Sequence, residues 1–127
     1  MRVALDTNRY REFCGGVEET VEILRLAEHI FVPFVTLAEL RAGFLCGTIA
    51  RRNENVLNSF LLRPRVAVLY PDEGTTHHYS RLYRQLREQG TPIPTNELWV
   101  ASLSVQHGLA FCSRDAHFDS LPQLIRA

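Results

Sequence analysis

The sequence predicts an α/β fold, a three-layer sandwich in which helices cover both faces of a central parallel sheet. Two observations predict it. Short apolar runs alternate along the chain with longer segments of helical periodicity, which is typical of parallel sheets with helical crossovers. The 127 residues are 46% hydrophobic and 22% charged, enough to bury one core. No repeat or Pro/Gly/Ser-rich linker divides the chain, so residues 1–127 are expected to form a single domain.

Four short apolar runs are the predicted strands of this sheet. Each is rich in β-branched or large apolar residues and is too short for a helix. The four runs are residues 2–5, 30–33, 66–70 and 109–112. Residues 121–127 are a further candidate, for an edge strand.

Five longer segments carry apolar residues at helical spacing and are predicted to be helices. Residues 75–88 have an i, i+3, i+4, i+7 stripe, which is one face of an amphipathic helix. Residues 96–107 are apolar nearly all round, which indicates a buried helix. The other three segments are residues 18–28, 36–47 and 49–62.

The charged residues exclude some function classes. There are 14 basic and 14 acidic residues, so nucleic-acid binding would have to come from charge segregation over the surface. All basic residues are arginine and lysine is absent. This absence excludes phosphorelay receiver domains and haloacid-dehalogenase-type phosphatases, because the chemistry of both needs a lysine.

Cysteine usage and hydropathy predict a cytoplasmic protein. Cys14, Cys46 and Cys112 form no C-x-x-C pair and are interpreted as small apolar residues in a reducing compartment. No apolar stretch approaches the roughly 20 residues of a membrane span. Asp6 follows the start almost at once, so we expect no signal peptide and no contact with a membrane.

Four carboxylates follow strands or begin helices at one predicted edge of the sheet. Asp6 directly follows the first strand, and Asp115 comes three residues after the last. Glu39 and Glu97 lie near the starts of helices that face those strand ends. Parallel sheets bind ligands at this edge. Clustered acids raise one another's pKa values, and a divalent cation removes that penalty. An all-oxygen donor set favours Mg²⁺ or Mn²⁺.

Most of these acids also have a purely structural interpretation. Glu39 lies three residues after Thr36, the spacing of a capping box. Asn96 is a good N-cap residue, and the helix dipole favours a carboxylate such as Glu97 in the first turn. Asp115 could cap a short turn that follows it. Only their convergence in one place would separate a metal site from these local roles.

Around the acids the chain carries four short motifs. They are Leu5-Asp6-Thr7-Asn8, Thr36-Leu-Ala-Glu39-Leu40, Ile93-Pro-Thr-Asn-Glu97-Leu-Trp-Val-Ala101 and Ser113-Arg-Asp115-Ala-His-Phe118. In order and spacing, they resemble the conserved blocks of PIN domains, and the nearest branch is the VapC toxins of bacterial and archaeal toxin–antitoxin pairs. The resemblance covers about residues 1–120.

This resemblance implies a Rossmann-like sheet and Mg²⁺- or Mn²⁺-dependent hydrolysis of RNA. The catalytic acids that it implies are Asp6, Glu39, Glu97 and Asp115. All of these except Glu39 would bind the metal directly. Glu97 departs from the family, which usually has aspartate there, by one methylene. The polar residues expected to orient the acids by hydrogen bonds are Thr7, Asn8, Asn96 and Ser113.

The resemblance also implies a cognate antitoxin protein and a homodimer. The alternative is a PIN-like module that binds RNA or protein without cutting. Arg9 and Arg11 could line the entrance and contact phosphates, or be ordinary solvated charges. We expect His117 on the surface or in a structural role, and Trp99 and Phe118 in the core or an interface rather than stacked on bases.

Overall fold

The computed structural model describes all 127 residues and contains one sheet of four strands. They are β1 (Arg2–Leu5), β2 (His29–Pro33), β3 (Val66–Leu69) and β4 (Ala110–Cys112). The order across the sheet is β3-β2-β1-β4, and every neighbouring pair is parallel. Each strand lies within one or two residues of a predicted run, which confirms the α/β class and the parallel sheet.

Six α-helices connect the strands. They are α1 (Thr7–Cys14), α2 (Glu18–Leu26), α3 (Phe34–Cys46), α4 (Ala50–Leu61), α5 (Glu73–Gln89) and α6 (Thr95–His107). A 3₁₀ helix (Ala116–Ser120) follows β4. The sequence predicts five of the α-helices but not α1, in which apolar residues are few. The expected edge strand at the C-terminus is reduced to a single bridge between Phe111 and Arg126.

The helices form two layers, one on each face of the sheet. Successive side chains of β1 point to opposite faces and so reach both layers. Val3 and Leu5 lie in a core built with helices α1 to α4. Ala4, between them, lies in the second core, built with α5, α6 and the segment after β4. Neighbouring residues of a strand point to opposite faces, so a continuous apolar run fills two cores and produces the predicted sandwich.

Aromatic residues of the second core behave as the sequence predicts. Phe118 is buried, and its ring centroid lies 4.5 Å from that of Phe111. Trp99 is half-buried and packs against Tyr79 at 4.4 Å. These contacts favour a packing role over base stacking. The contact between Phe118 and Phe111 also anchors the 3₁₀ helix against β4.

The order of the strands determines where a ligand can bind. From β1 the chain moves outward to β2 and β3, and β4 then pairs with the opposite side of β1. The winding direction therefore reverses between β1 and β4. In open α/β sheets a crevice opens at the carboxyl ends of the strands beside such a reversal.

None of the helices combines the length and the apolar character needed to cross a membrane.

Candidate active site

A cleft of about 370 Å³ opens at the carboxyl ends of β1 and β4, where the winding reverses. All four predicted acids line it. We call it the acidic cleft and define it by Asp6, Glu39, Glu97 and Asp115. These residues come from four distant segments of the chain, so only the fold brings them together.

Asp6 is placed by the end of β1 and by the start of α1. It is the N-cap of α1, and its Oδ1 accepts a hydrogen bond of 2.7 Å from the backbone N–H of Arg9. Burial raises the pKa of the Asp6 carboxyl. The Ser113 side chain and the Arg9 N–H oppose this shift, and the Asp115 charge adds to it. Asp6 is therefore a helix cap whose negative charge the fold does not fully stabilise.

Glu39 extends into the cleft from the second turn of α3, and the capping-box interpretation of this residue is wrong. The N-cap of α3 is Pro33, with no side-chain cap. Thr36 instead donates its hydroxyl to the carbonyl of Leu5 at 3.1 Å, which ties α3 to the end of β1. Glu39 accepts a hydrogen bond of 3.0 Å from Thr7 Oγ1. Glu39 therefore has no helix-capping role.

Glu97 lies in the first turn of α6 and is half-buried. The helix begins one residue earlier than predicted, after the N-cap Pro94, so the interpretation of Asn96 as its N-cap is wrong. The helix dipole still favours a carboxylate at this position. No side-chain hydrogen bond engages Glu97, and its carboxylate is available to a ligand.

Asp115 lies in the loop that leaves β4, where it caps the 3₁₀ helix as the sequence predicts. Its Oδ1 accepts a hydrogen bond of 2.9 Å from the backbone N–H of His117. Its own N–H donates to Ser113 Oγ at 3.0 Å. Capping uses one carboxylate oxygen and leaves the other free. The structural and the functional interpretations of Asp115 are thus compatible.

Three of the groups near the cleft form a tight cluster. The ligand atoms of Glu97, Asp115 and His117 all lie within 4.8 Å of one another. Two carboxylates and an imidazole are a donor set that could bind a divalent metal. His117 is not among the ligands predicted from the sequence, because an aspartate and a histidine two residues apart match no ligand spacing. Its position in the fourth motif was the available signal.

The polar residues predicted to orient the acids divide into two groups. Thr7 and Ser113 contact acids, through the Thr7–Glu39 hydrogen bond and through Ser113 beside Asp6 and Asp115. Asn8 and Asn96 line the cleft but make no hydrogen bond to an acid.

Arg9 and Arg11, both predicted to contact RNA, lie in different environments. Arg11 is exposed and lines the acidic cleft. Arg9 is only 4% exposed, and its Nη1 donates to Thr20 Oγ1 at 2.8 Å and to Glu12 Oε1 at 3.2 Å. The expectation for Arg9 is therefore corrected, because a side chain engaged in the interior cannot reach a phosphate backbone.

Arg9 belongs to a second charged group, which we call the arginine-paired cluster. Arg114 joins it from the loop after β4, with Nε 3.1 Å from Glu12 and Nη2 2.9 Å from Glu19. The cluster consists of Arg9, Glu12, Glu19, Thr20 and Arg114. It binds α1, α2 and this loop together.

None of the four cleft acids has an arginine partner. The only side-chain contact of this kind joins Asp115 to His117, with Nδ1 3.0 Å from Oδ1. Like charges gathered without a counter-charge disfavour one another. Arg11 is the only basic residue that lines the acidic cleft, so the cleft has an excess of negative charge that a cation could balance.

The sequence matches the PIN domain family model over residues 5–124. Among similar proteins is Ribonuclease VapC4 of Mycobacterium tuberculosis, 30% identical over 93 residues, which are 73% of this chain and 72% of that protein. Another is Ribonuclease VapC1 of Haemophilus influenzae, 34% identical over 85 residues, or 67% of this chain and 62% of that protein.

Solved structures share the whole fold. One is VapBC2 from Rickettsia felis, bound to a DNA fragment from its promoter. Its TM-score is 0.87 at 24% identity, and the match covers 100% of this chain and 98% of that chain. Another is VapBC-5 from Mycobacterium tuberculosis, a member of the VapBC family of toxin-antitoxin systems, with a TM-score of 0.75 and 25% identity. It is matched over 99% of this chain and 98% of that chain.

Proposed function

This chain belongs to the PIN-domain family, and from that premise we propose that it is a metal-dependent endoribonuclease, the toxin of a toxin–antitoxin pair. Its similar relatives carry the name ribonuclease. The substrate is RNA, the bond hydrolysed is the phosphodiester, and Mg²⁺ or Mn²⁺ is the cofactor.

One observation carries the proposal. Four carboxylates from separate segments line a single cleft at the reversal of the sheet, and no arginine of the chain pairs with any of them. Three of the acids, Asp6, Glu97 and Asp115, are partly buried. A fold that needed them for stability alone would pair them, because leaving a charge unpaired in a partly buried place costs free energy. A divalent cation balances several such charges at once.

The residues of the cleft have distinct tasks in this proposal. Asp6, Glu97 and Asp115 would hold the cation, and Glu39, with Thr7 as its hydrogen-bond partner, would orient the attacking water. When bound, such a cation polarises a phosphoryl oxygen and makes water a better nucleophile at neutral pH. Ser113 would hold Asp6 and Asp115 in position through its hydrogen bonds with both residues. Arg11, at the wall of the cleft, contacts the phosphate backbone of the RNA.

The proposed partner is an antitoxin protein that covers the acidic cleft. The solved relatives are VapBC complexes, and a cleft whose four acids have no arginine partner suits a basic side chain from a bound protein. We propose in addition that the chain forms a homodimer.

Cleavage of RNA by the purified chain, freed of any antitoxin, tests the function. We expect wild type to cut structured RNA in Mn²⁺ or Mg²⁺ and to stop when a chelator is added. The products should carry 5′-phosphate and 3′-hydroxyl ends. Asp6→Asn should lose at least about 10²-fold in rate, because it removes a metal ligand. The variant should remain folded, since asparagine caps helices as well as aspartate does.

Glu28→Gln is the matched control, because it neutralises an exposed carboxylate beside β2 at the opposite edge of the sheet. It should cut at the wild-type rate. Undiminished cleavage by Asp6→Asn, or cleavage that survives the chelator, would refute the proposed function.

A further inference from the structure

His117 is the second residue of the 3₁₀ helix, two positions beyond Asp115. The helix has little freedom, because Phe118 packs into the core against Phe111 and Asp115 caps its first turn. His117 lies between these two anchors, and its side chain is half exposed. The backbone therefore holds the imidazole beside the acidic cleft, on a firm support.

The imidazole makes its only polar contact with a cleft acid. Nδ1 of His117 lies 3.0 Å from Oδ1 of Asp115, and both ligand groups are within 4.8 Å of the Glu97 carboxylate. Because no other group of the protein holds the ring, it can turn from Asp115 toward a cation at small cost. The second oxygen of Asp115 is free to bind the same ion.

We infer that His117 supplies a nitrogen ligand to the cation held by Glu97 and Asp115, and so makes the site selective for Mn²⁺ over Mg²⁺. The inference rests on the proposed function, because it concerns the cation of that same cleft. Mg²⁺ takes oxygen ligands and retains its waters. Transition metals gain more from an imidazole nitrogen. A site with two carboxylates and one imidazole therefore favours Mn²⁺ over Mg²⁺. A site with oxygen ligands alone lacks this source of selectivity.

A different role for His117 would be to orient Asp115 by a hydrogen bond alone. The two roles predict different magnetic spectra. A coordinated imidazole places ¹⁴N in direct contact with the unpaired electrons of Mn²⁺, whereas a histidine that only contacts a ligand does not. Pulsed electron paramagnetic resonance, read as three-pulse echo modulation, separates them without any activity measurement.

The experiment compares wild type, His117→Ala, His117→Asp, Asp115→Asn and the control His29→Ala. His29 is exposed at the amino end of β2, the edge of the sheet opposite the cleft. Each protein is titrated with Mn²⁺ alone and with Mg²⁺ as competitor, and its pulsed spectrum is recorded.

We expect modulation from coordinated nitrogen in wild type and His29→Ala, and its loss in His117→Ala. Affinity for Mn²⁺ should fall about tenfold or more in His117→Ala, while affinity for Mg²⁺ changes less. His117→Asp should recover metal binding through oxygen, without the nitrogen signal and with weaker preference for Mn²⁺. This recovery also shows that the fold tolerates substitution at the position.

The outcomes distinguish the two proposals. If Mn²⁺ binds, Asp115→Asn abolishes that binding, and wild type shows no coordinated nitrogen, the inference about His117 is wrong and the proposed function stands. The same conclusion follows if the nitrogen signal persists in His117→Ala. If wild type binds no Mn²⁺, or Asp115→Asn binds it as tightly as wild type does, the metal site of the proposed function fails and the inference fails with it.

Discussion

Two groups of acidic side chains adjoin helix α1, and they differ in what balances their charge. In the arginine-paired cluster, Glu12 and Glu19 each contact an arginine within 3.1 Å, and a buried arginine, Arg9, lies beneath them. In the acidic cleft, Arg11 lines the wall, but none of the four carboxylates forms an ion pair with an arginine. The same residue types are therefore paired with arginine in one place and available to a ligand in the other.

The pKa values of Glu12 and Glu19 move in the direction opposite to that of Asp6. A hydrogen bond from Thr20 and the Arg114 guanidinium hold the pKa of Glu12 below its ordinary value, and Arg114 does the same for Glu19. Burial raises the pKa of Asp6. Folding thus favours the charged form of the first group and disfavours it at Asp6. The partners of a carboxylate therefore indicate its role better than its residue type does.

Removal of Arg9 should have the largest effect on stability. Arg9→Met takes away the buried cation and its hydrogen bonds to Thr20 and Glu12, and it should lower the free energy of unfolding by about 3 kcal/mol. Urea denaturation measures this. Arg25→Met, which breaks an exposed pair with Glu22, is the control and should leave the midpoint almost unchanged. Equal shifts in both variants would mean that the cluster is not a structural support.

Neutralising Asp6 should raise the stability of the protein, whereas removing Arg9 should lower it. In a chelator at neutral pH, Asp6→Asn should melt above wild type, since it removes a charge that burial disfavours and retains the cap. Because the folded pKa of Asp6 is raised, the wild-type carboxyl becomes protonated in the folded state first as pH falls. The gap between the two proteins should therefore close toward acid pH.

Binding of Mn²⁺ should reverse the order of the two melting temperatures, so that wild type melts above Asp6→Asn. At a Mn²⁺ concentration of 100 times its dissociation constant, wild type gains about 2.7 kcal/mol, and Asp6→Asn gains less. Thermal melts with and without Mn²⁺ across pH 4 to 8 measure both effects. A melting point for Asp6→Asn several degrees below wild type in chelator would make Asp6 a paired structural charge, like the acids of the arginine-paired cluster.

The smallest expected effect concerns Arg11, the arginine that lines the cleft. Arg11→Gln should weaken binding of single-stranded RNA and reduce the slope of log K against log salt by about 0.7, the value for one phosphate contact. Binding is measured in chelator, where RNA is not cut. Arg81→Gln, an exposed arginine of α5 outside the cleft, should leave the slope unchanged. An unchanged slope in Arg11→Gln would remove Arg11 from the RNA surface.

Much of this architecture was predictable from the sequence. Strands and helices follow from the period of apolar residues, which is a local property of the chain. Motif spacing pointed to the four acids, because Asp6 directly follows a strand, Asp115 comes three residues after one, and the two glutamates lie near helix starts. The two capping interpretations failed at Pro33 and Pro94, where each helix starts without a side-chain cap.

The roles of Arg9 and Arg11 were not predictable in the same way. Helix α1 has few apolar residues, so its periodicity does not reveal it. Once the helix is known, two residues separated by two positions lie on nearly opposite faces. One arginine then enters the interior and the other faces the cleft. Missing the helix therefore led directly to the wrong expectation for Arg9.

By itself, the sequence determined the α/β class and the parallel sheet, and it predicted the four acids that line one cleft, because periodicity and motifs are read between near neighbours. Tertiary structure alone decided which charges are neutralised and which are not, and that His117 joins Glu97 and Asp115. Charge balance depends on distances between residues far apart in the chain. Those distances exist only after β1 and β4 have paired and the helices have packed against them.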